Sequence, residues 1–174
     1  MTFEIHSDIT NRSMTIASRA MRKVLRRKRN IIWAIYGWSV FFINTLLLIP
    51  FDGEPFTLDA STVISLLVEV MLLSALLFQD RINGMIACKN TLAGTKEYYV
   101  VFGEESYTVV TEVATSTFRY ELIDAMAESQ DYMILLMKKR FAQPLDKRTL
   151  TGGTVEECKR FLEEKTGKTF RRVK

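Results

Sequence analysis

The sequence predicts an α+β membrane protein, in which a hairpin of two transmembrane helices is joined to an antiparallel β-sheet that a C-terminal α-helix closes. Three observations lead to this fold class. Two apolar stretches, residues 31–49 and 60–78, lie close together in the chain. Strand patterns follow from residue 97 onward, and an amphipathic helical pattern comes after them.

Residues 1–30 are predicted to combine a short strand with a basic amphipathic helix. Residues 1–6 alternate apolar and polar side chains, and Asp8 or Thr10 is placed to cap the helix that follows. Residues 19–29 contain seven Lys or Arg, which indicates either a solvated basic face or a helix lying on anionic lipid headgroups, where each charge contributes about 1 kcal/mol. The adjoining apolar stretch favours the lipid surface. The expected lipid-contacting residues are Arg22, Lys23, Arg26, Arg27, Lys28 and Arg29.

The first apolar stretch, residues 31–49, contains no charged residue. A helix of about 20 residues crosses the hydrocarbon core of a bilayer, which is about 30 Å thick. Trp33, Tyr36 and Trp38 lie near its basic end, as is typical of the aromatic belt at a membrane interface. A secretory signal peptide is disfavoured, because the apolar region exceeds the usual ~7–15 residues and no small-residue cleavage site follows it.

The second apolar stretch, residues 60–78, carries one charge, Glu69. Residues 50–59 form a predicted extracytoplasmic turn, so the two helices must run antiparallel. This turn contains no Lys or Arg, whereas the segment before the first helix is strongly basic. Because cytoplasmic flanks hold the positive residues, both termini are expected in the cytoplasm of a multi-pass cell-membrane protein. Residues 79–94 are predicted to continue as a linker helix that stops at Gly94.

Residues 95–174 are predicted to form a cytoplasmic domain that ends in a helix. Thr154 and Glu157 stand at the spacing of a capping box, and Gly167 is placed to end the helix. An order of strands first and one helix last is the pleckstrin-homology (PH) pattern. Whether residues 1–6 join this sheet is left open. The predicted strands are residues 97–102, 107–113, 115–122, 125–128, 131–137 and 140–145.

Three segments of this domain support a family resemblance: residues 118–123 (FRYELI), 131–136 (DYMILL) and 143–150 (QPLDKRTL). Together with the basic helix and the two-span hairpin, they resemble the YcxB-like family of bacterial membrane proteins. The resemblance implies a PH-like cytoplasmic domain and a bacterial cell membrane, and it implies no defined activity.

Other ligands are not expected from the sequence. The turn at residues 103–106 (GEES) is acidic and repels the phosphates that lipid-binding PH domains bind at this place. Cys88 and Cys158 are expected to be free thiols, and with a single histidine they give too few ligands for zinc. Residues 138–140 and 171–172 are basic and are interpreted as solvated surface, or as additional lipid contacts. No cofactor, metal or nucleic acid is expected.

Glu69 is the residue that asks for a functional hypothesis, since an ionised side chain in mid-membrane costs about 2.5–3.5 kcal/mol. Ser39, at about the same depth, and Asn44, nearer the outer face, are its expected partners. A packing or homo-oligomer contact is favoured.

The first hypothesis is a non-enzymatic membrane protein whose PH-like domain binds an unknown cytoplasmic or membrane protein. The alternative is a small proton or ion transport or channel subunit that uses Glu69. An enzyme is the third hypothesis, with a catalytic set drawn from Asp124, Glu128 and His6.

Overall fold

The structure, a computed structural model, describes residues 2–47, 59–137 and 141–173. Apart from Asp59, the predicted turn at residues 50–59 lies outside these residues, and so does the basic segment 138–140. Within the described residues the fold is α+β, with four α-helices and two four-stranded sheets. The helices are α1 (Asn11–Val24), α2 (Arg27–Leu47), α3 (Ala60–Lys89) and α4 (Val155–Thr166).

The first sheet has the strand order β1-β2-β3-β4, and all its neighbouring strands are antiparallel. The second sheet has the order β7-β6-β5-β8, and β8 is parallel to β5. The first-sheet strands are β1 (Phe3–Asp8), β2 (Glu97–Phe102), β3 (Ser106–Thr111) and β4 (Thr115–Arg119). The second-sheet strands are β5 (Ile123–Glu128), β6 (Tyr132–Met137), β7 (Phe141–Asp146) and β8 (Phe170–Arg172).

The N-terminal strand is part of the first sheet. Strand β1 lies antiparallel to β2, with Phe3 opposite Phe102 and Asp8 opposite Glu97. The backbones of Glu4 and Thr151 also exchange hydrogen bonds of 3.2 and 2.9 Å, which tie β1 to the turn before α4. Helices α1, α2 and α3 are therefore inserted between two adjacent strands of one sheet.

Strand β6 is buried along its whole length because both of its faces are covered. On one side, Met133 and Leu135 belong to the main core, which the two sheets form together with α4. On the other side, Ile134 and Leu136 pack in a second cluster that includes Ala17 of α1. This arrangement explains why residues 132–137 form a continuous apolar run instead of alternating.

Helix α4 begins and ends where the sequence predicts. The Thr154 side chain accepts a hydrogen bond from the Glu157 N–H, and the Glu157 carboxylate accepts one from the Thr154 N–H at 2.8 Å. Gly167 has a φ of +66°, a left-handed conformation that glycine adopts without penalty. The helix is not the last element, however, because β8 follows it and pairs with β5. A three-residue strand is too short to show a period in the sequence.

Helix α3 continues without a break for 30 residues. It ends at Lys89, before the predicted stop, and Gly94 lies in the turn that follows, with a φ of +76°.

Two strands are also shorter than predicted: β3 ends at Thr111, and the pattern at 115–122 divides into β4 and a 3₁₀ turn at Tyr120–Leu122. Helices α2 and α3 are long and apolar enough to cross a membrane, and 6% of the most apolar window of each is buried.

Candidate functional site

Helix α1 packs against the C-terminal part of α3, and several of the polar residues described below lie at or beside this contact. Gly84 of α3 faces Thr15 of α1 so closely that a Cβ at Gly84 would lie 2.5 Å from the Thr15 backbone nitrogen. The α1 residues Ala17 and Ala20 are fully buried in the second cluster, with Ala127 and Ile134 of the second sheet. The absence of a side chain at Gly84 allows the two helix backbones to approach, and this packing fixes the N-terminal helix to the long α3 helix.

An ion pair lies within this helix contact. Arg22 Nε donates to Asp80 Oδ1 at 2.7 Å, Arg22 Nη2 donates to Asp80 Oδ2, and Arg19 Nε lies 3.5 Å from Asp80 Oδ2. The Asp80 side chain is 11% exposed and that of Arg22 is 27% exposed. The hydrogen bond with Asp80 raises the pKa of Arg22 above its ordinary value. Arg22, which the sequence assigns to the lipid surface, thus has its charge compensated inside the fold.

A polar cavity of about 640 Å³, here called the basic cleft, lies between α1, α2 and α3 at the bend from α1 to α2. Three of its lining residues are arginines and three carry side-chain amides. Lys23, Arg27 and Lys28 are exposed and are not part of the lining. The basic cleft is lined by Ser18, Met21, Arg22, Arg26, Arg29, Asn30, Trp33, Gln79 and Asn83.

Glu69 is buried between the two apolar helices and is 8% exposed. Its Oε1 forms a hydrogen bond with Thr45 Oγ1, which also lies 2.9 Å from the Phe41 carbonyl oxygen. Of the two expected partners, Ser39 is exposed, and the buried Asn44 Nδ2 has no hydrogen-bond partner among the described residues. Thr45 was missed because a single hydroxyl in an apolar run gives no distinctive sequence signal.

A second cavity, of about 440 Å³, is mostly apolar and lies between α1, α3 and strands of both sheets. Its wall includes Met14, Ala87, Val109 and Pro144. Gln143 also lines it, and the buried Gln143 Oε1 has no hydrogen-bond partner in the part of the chain that the structure describes.

Two of the three residues proposed for an enzyme, Glu128 and His6, have separate partners in the fold. Glu128 binds Lys147 Nζ at 2.5 Å and Lys159 Nζ at 2.7 Å. His6 stacks on Tyr99, with ring centroids 4.5 Å apart, so it has different neighbours from Glu128.

Both cysteines are free thiols. Across residues 2–47, 59–137 and 141–173, no group of three or more His, Cys, Asp or Glu is placed to hold a metal ion.

Two helices able to span a bilayer, joined to a two-sheet domain, are consistent with a membrane protein of the α+β class. The family described as YcxB-like protein matches residues 102–162, from the end of β2 into α4. All three segments on which the resemblance was predicted lie within this match, so the predicted resemblance to the YcxB-like family is confirmed there. No curated protein and no solved structure matches the chain.

Proposed function

We propose that the chain is an integral membrane protein that presents a PH-like protein-interaction domain at the cytoplasmic face of the cell membrane. The observation that carries the proposal is the continuity of α3, which runs from an exposed apolar segment directly into the contact with α1. In its apolar part, Ile64, Leu67 and Met71 are 62%, 65% and 72% exposed. Such a surface is stable in lipid and unfavourable in water.

The orientation follows from charge. Seven Lys or Arg lie at residues 19–29, before the first apolar helix, and none lies between the two apolar helices. Positive residues remain on the cytoplasmic side, so both termini and the two-sheet domain are placed there. The match to the YcxB-like family is consistent with the bacterial cell membrane as the location.

The PH-like assignment rests on the order of elements. A four-stranded antiparallel sheet is followed by the β5-β6-β7 meander and then by α4, which packs on the core through Cys158 and Leu162. With this assignment, the transmembrane hairpin is an insertion between the first two strands of the PH-like domain, and β8 is an additional strand after α4. Both connections to the hairpin emerge from the same end of the domain.

A protein partner is favoured over a catalytic role by the exposed side chains of the domain. Tyr99 is 56% exposed and stacks on His6, and Phe141 is 55% exposed. Aromatic side chains of this kind are enriched at protein interfaces. The partner is a cytoplasmic or membrane protein, or a second copy of the chain.

The orientation is tested first. Single cysteines replace Gly53 and Thr151 in a background without Cys88 and Cys158, and intact cells are treated with a membrane-impermeant maleimide. We expect labelling at position 53 alone, with position 151 labelled after lysis. Labelling at 151 in intact cells contradicts the cytoplasmic placement of the domain and the proposed function with it.

The interaction role is tested in the same cells with a photo-crosslinking amino acid at Tyr99. A matched control carries it at Thr117, which is exposed on β4 of the same sheet. We expect a discrete adduct from position 99 alone, and an adduct of twice the chain mass if the partner is a second copy. Equal patterns from both positions, or no adduct from either, contradict a partner surface at Tyr99.

The second candidate function is a proton or ion transport subunit that uses Glu69, and the burial of this carboxyl group favours it. The bond to Thr45 instead supports packing between the helices. Glu69→Gln keeps a hydrogen-bonding side chain, whereas Glu69→Leu removes it. Loss of a proton or cation flux in both variants, with normal assembly, supports transport, and disturbed assembly in Glu69→Leu alone supports packing.

A further inference from the structure

We propose that the basic cleft is a binding site for the phosphate of an anionic phospholipid headgroup. This inference rests on the proposed placement of α2 and α3 in a membrane. It goes further than a general attraction of the basic segment to lipid, because it assigns the contact to one cavity and excludes neighbouring basic residues from it.

The donors in the cleft suit a phosphate group. Arg26 and Arg29 line it, and a guanidinium offers planar pairs of N–H donors that match two phosphate oxygens. Asn30, Gln79 and Asn83 add side-chain amides from both apolar helices. A cavity of about 640 Å³ also falls within the range of small-molecule sites, ~300–1,000 Å³.

Arg29 supplies a positive charge to the cleft beside the Arg22–Asp80 pair. Asp80 compensates Arg22 through the two-point ion pair. Arg29 lines the cleft and has no carboxylate within ion-pair distance among the residues that the structure describes. Helix α2 begins at Arg27, so the N–H groups of its first turn and the positive end of its dipole lie beside Arg29 and favour an anion.

The position of the cleft selects a lipid over a phosphate ion in solution. Trp33 lines the cleft, is 64% exposed, and marks the level at which an indole ring lies in the membrane interface. Ile32 and Ile35, 67% and 62% exposed, continue α2 into its apolar part. A phospholipid can therefore place its phosphate among the arginines while its acyl chains follow this apolar surface, which a free phosphate cannot do.

The test uses the purified full-length chain in detergent, with a mixture of phosphatidylglycerol and phosphatidylcholine, and native mass spectrometry to count retained lipids. We expect phosphatidylglycerol to be retained in preference to phosphatidylcholine. Arg29→Gln should weaken its retention about tenfold, as expected from the loss of one charged hydrogen-bonding group. Lys28→Gln makes the same change of charge one residue away, outside the cleft, and should alter retention less than about twofold.

A second pair of variants tests the opposite wall. Asn83→Asp places a negative charge on the α3 side of the cleft and should also weaken retention, whereas Asn90→Asp makes the same change beyond it. Thermal unfolding of each variant shows whether its fold is intact. Retention that falls equally in Arg29→Gln and Lys28→Gln overturns the site and indicates diffuse attraction. Equal retention of phosphatidylglycerol and phosphatidylcholine by the wild-type chain also overturns the site.

Two further outcomes separate this inference from the proposed function. Displacement of the lipid by millimolar inorganic phosphate would show a phosphate site without lipid selectivity and would overturn the assignment to a phospholipid. If the topology in cells is as proposed but the purified chain retains no phosphatidylglycerol, the lipid site is wrong and the proposed membrane function is unaffected. Labelling at position 151 in intact cells, by contrast, removes the proposed function itself.

Discussion

Arg22 of α1 and Asp80 of α3 form a two-point ion pair, in which Nε and Nη2 of the guanidinium each donate to a different carboxylate oxygen. The pair joins the helix that packs on β6 to the helix that emerges from the apolar hairpin. Because Arg19 Nε also lies 3.5 Å from the same carboxylate, the single negative charge of Asp80 is shared by two arginines at this junction. The junction is therefore held by charge as well as by apolar packing.

Replacing Asp80 by Asn should lower the free energy of unfolding by about 2–3 kcal/mol, because it leaves a half-buried arginine without its counter-charge. Thermal or denaturant unfolding of the full-length chain in detergent measures the change. Asp131→Asn is the matched control. Its partner Arg12 is 68% exposed, and an exposed pair contributes less than about 1 kcal/mol. Equal losses in the two variants would show that the Arg22–Asp80 pair has no special structural role.

Gly84→Ala should weaken the packing of α1 on α3, because the new methyl group meets the Thr15 backbone, which cannot move aside without shifting α1. We expect a loss of about 1–3 kcal/mol, as for overpacking in a core. Gly37→Ala is the control, since the atoms nearest to its Cβ belong to the flexible side chain of Leu76, with the Leu76 Cδ2 methyl 2.8 Å away. Unfolding measurements on both variants should therefore give a clear loss for Gly84→Ala and a small change for Gly37→Ala.

The local elements of this fold could be predicted from the sequence, and its long-range partners could not. The capping box at Thr154 and the glycine at 167 act within a few residues, so their spacing alone identifies the helix. The pairing of β1 with β2 joins segments separated by the three helices, and an alternating pattern does not name its partner strand. The same limit explains why all residues of the basic segment are assigned alike to the lipid surface. Nothing in the sequence distinguishes Arg22, which is paired with Asp80, from the exposed Lys28.

The two thiols should differ strongly in reactivity. Cys158 is fully buried, and this burial raises the pKa of its thiol to about 12. At neutral pH the reactive thiolate of Cys158 is then present at only about 1 part in 10⁵. Cys88 is partly exposed, with its Sγ 3.7 Å from the Ile9 carbonyl oxygen. We expect N-ethylmaleimide to modify Cys88 in the folded chain and Cys158 only after unfolding, as read by peptide mass spectrometry. Equal rates for both thiols contradict this core position of Cys158.

The stability of the two-sheet domain should fall in acid, and Glu128 should contribute to the fall. Burial acts to raise the pKa of Glu128, but the hydrogen bonds and charges of Lys147 and Lys159 outweigh it, so the pKa lies below the ordinary value of 4.5. A carboxyl group with a lowered pKa in the folded state binds fewer protons there than in the unfolded state. Its stabilising contribution is therefore complete above about pH 4.5 and is lost as the pH falls through the folded-state pKa.

Glu128→Gln removes this titration, so the free energy of unfolding of the variant should depend less on pH between about 5 and 3 than that of the wild type. Glu164→Gln, an exposed carboxylate on α4, should leave the slope unchanged. The slope in Glu128→Gln should not vanish, because the pKa values of Asp146 and Glu157 are also lowered, by Arg148 and by Thr154 respectively. Unfolding curves at several pH values measure the slopes. If Glu128→Gln and Glu164→Gln give the same slope as the wild type, the two lysines do not stabilise the charged form of Glu128.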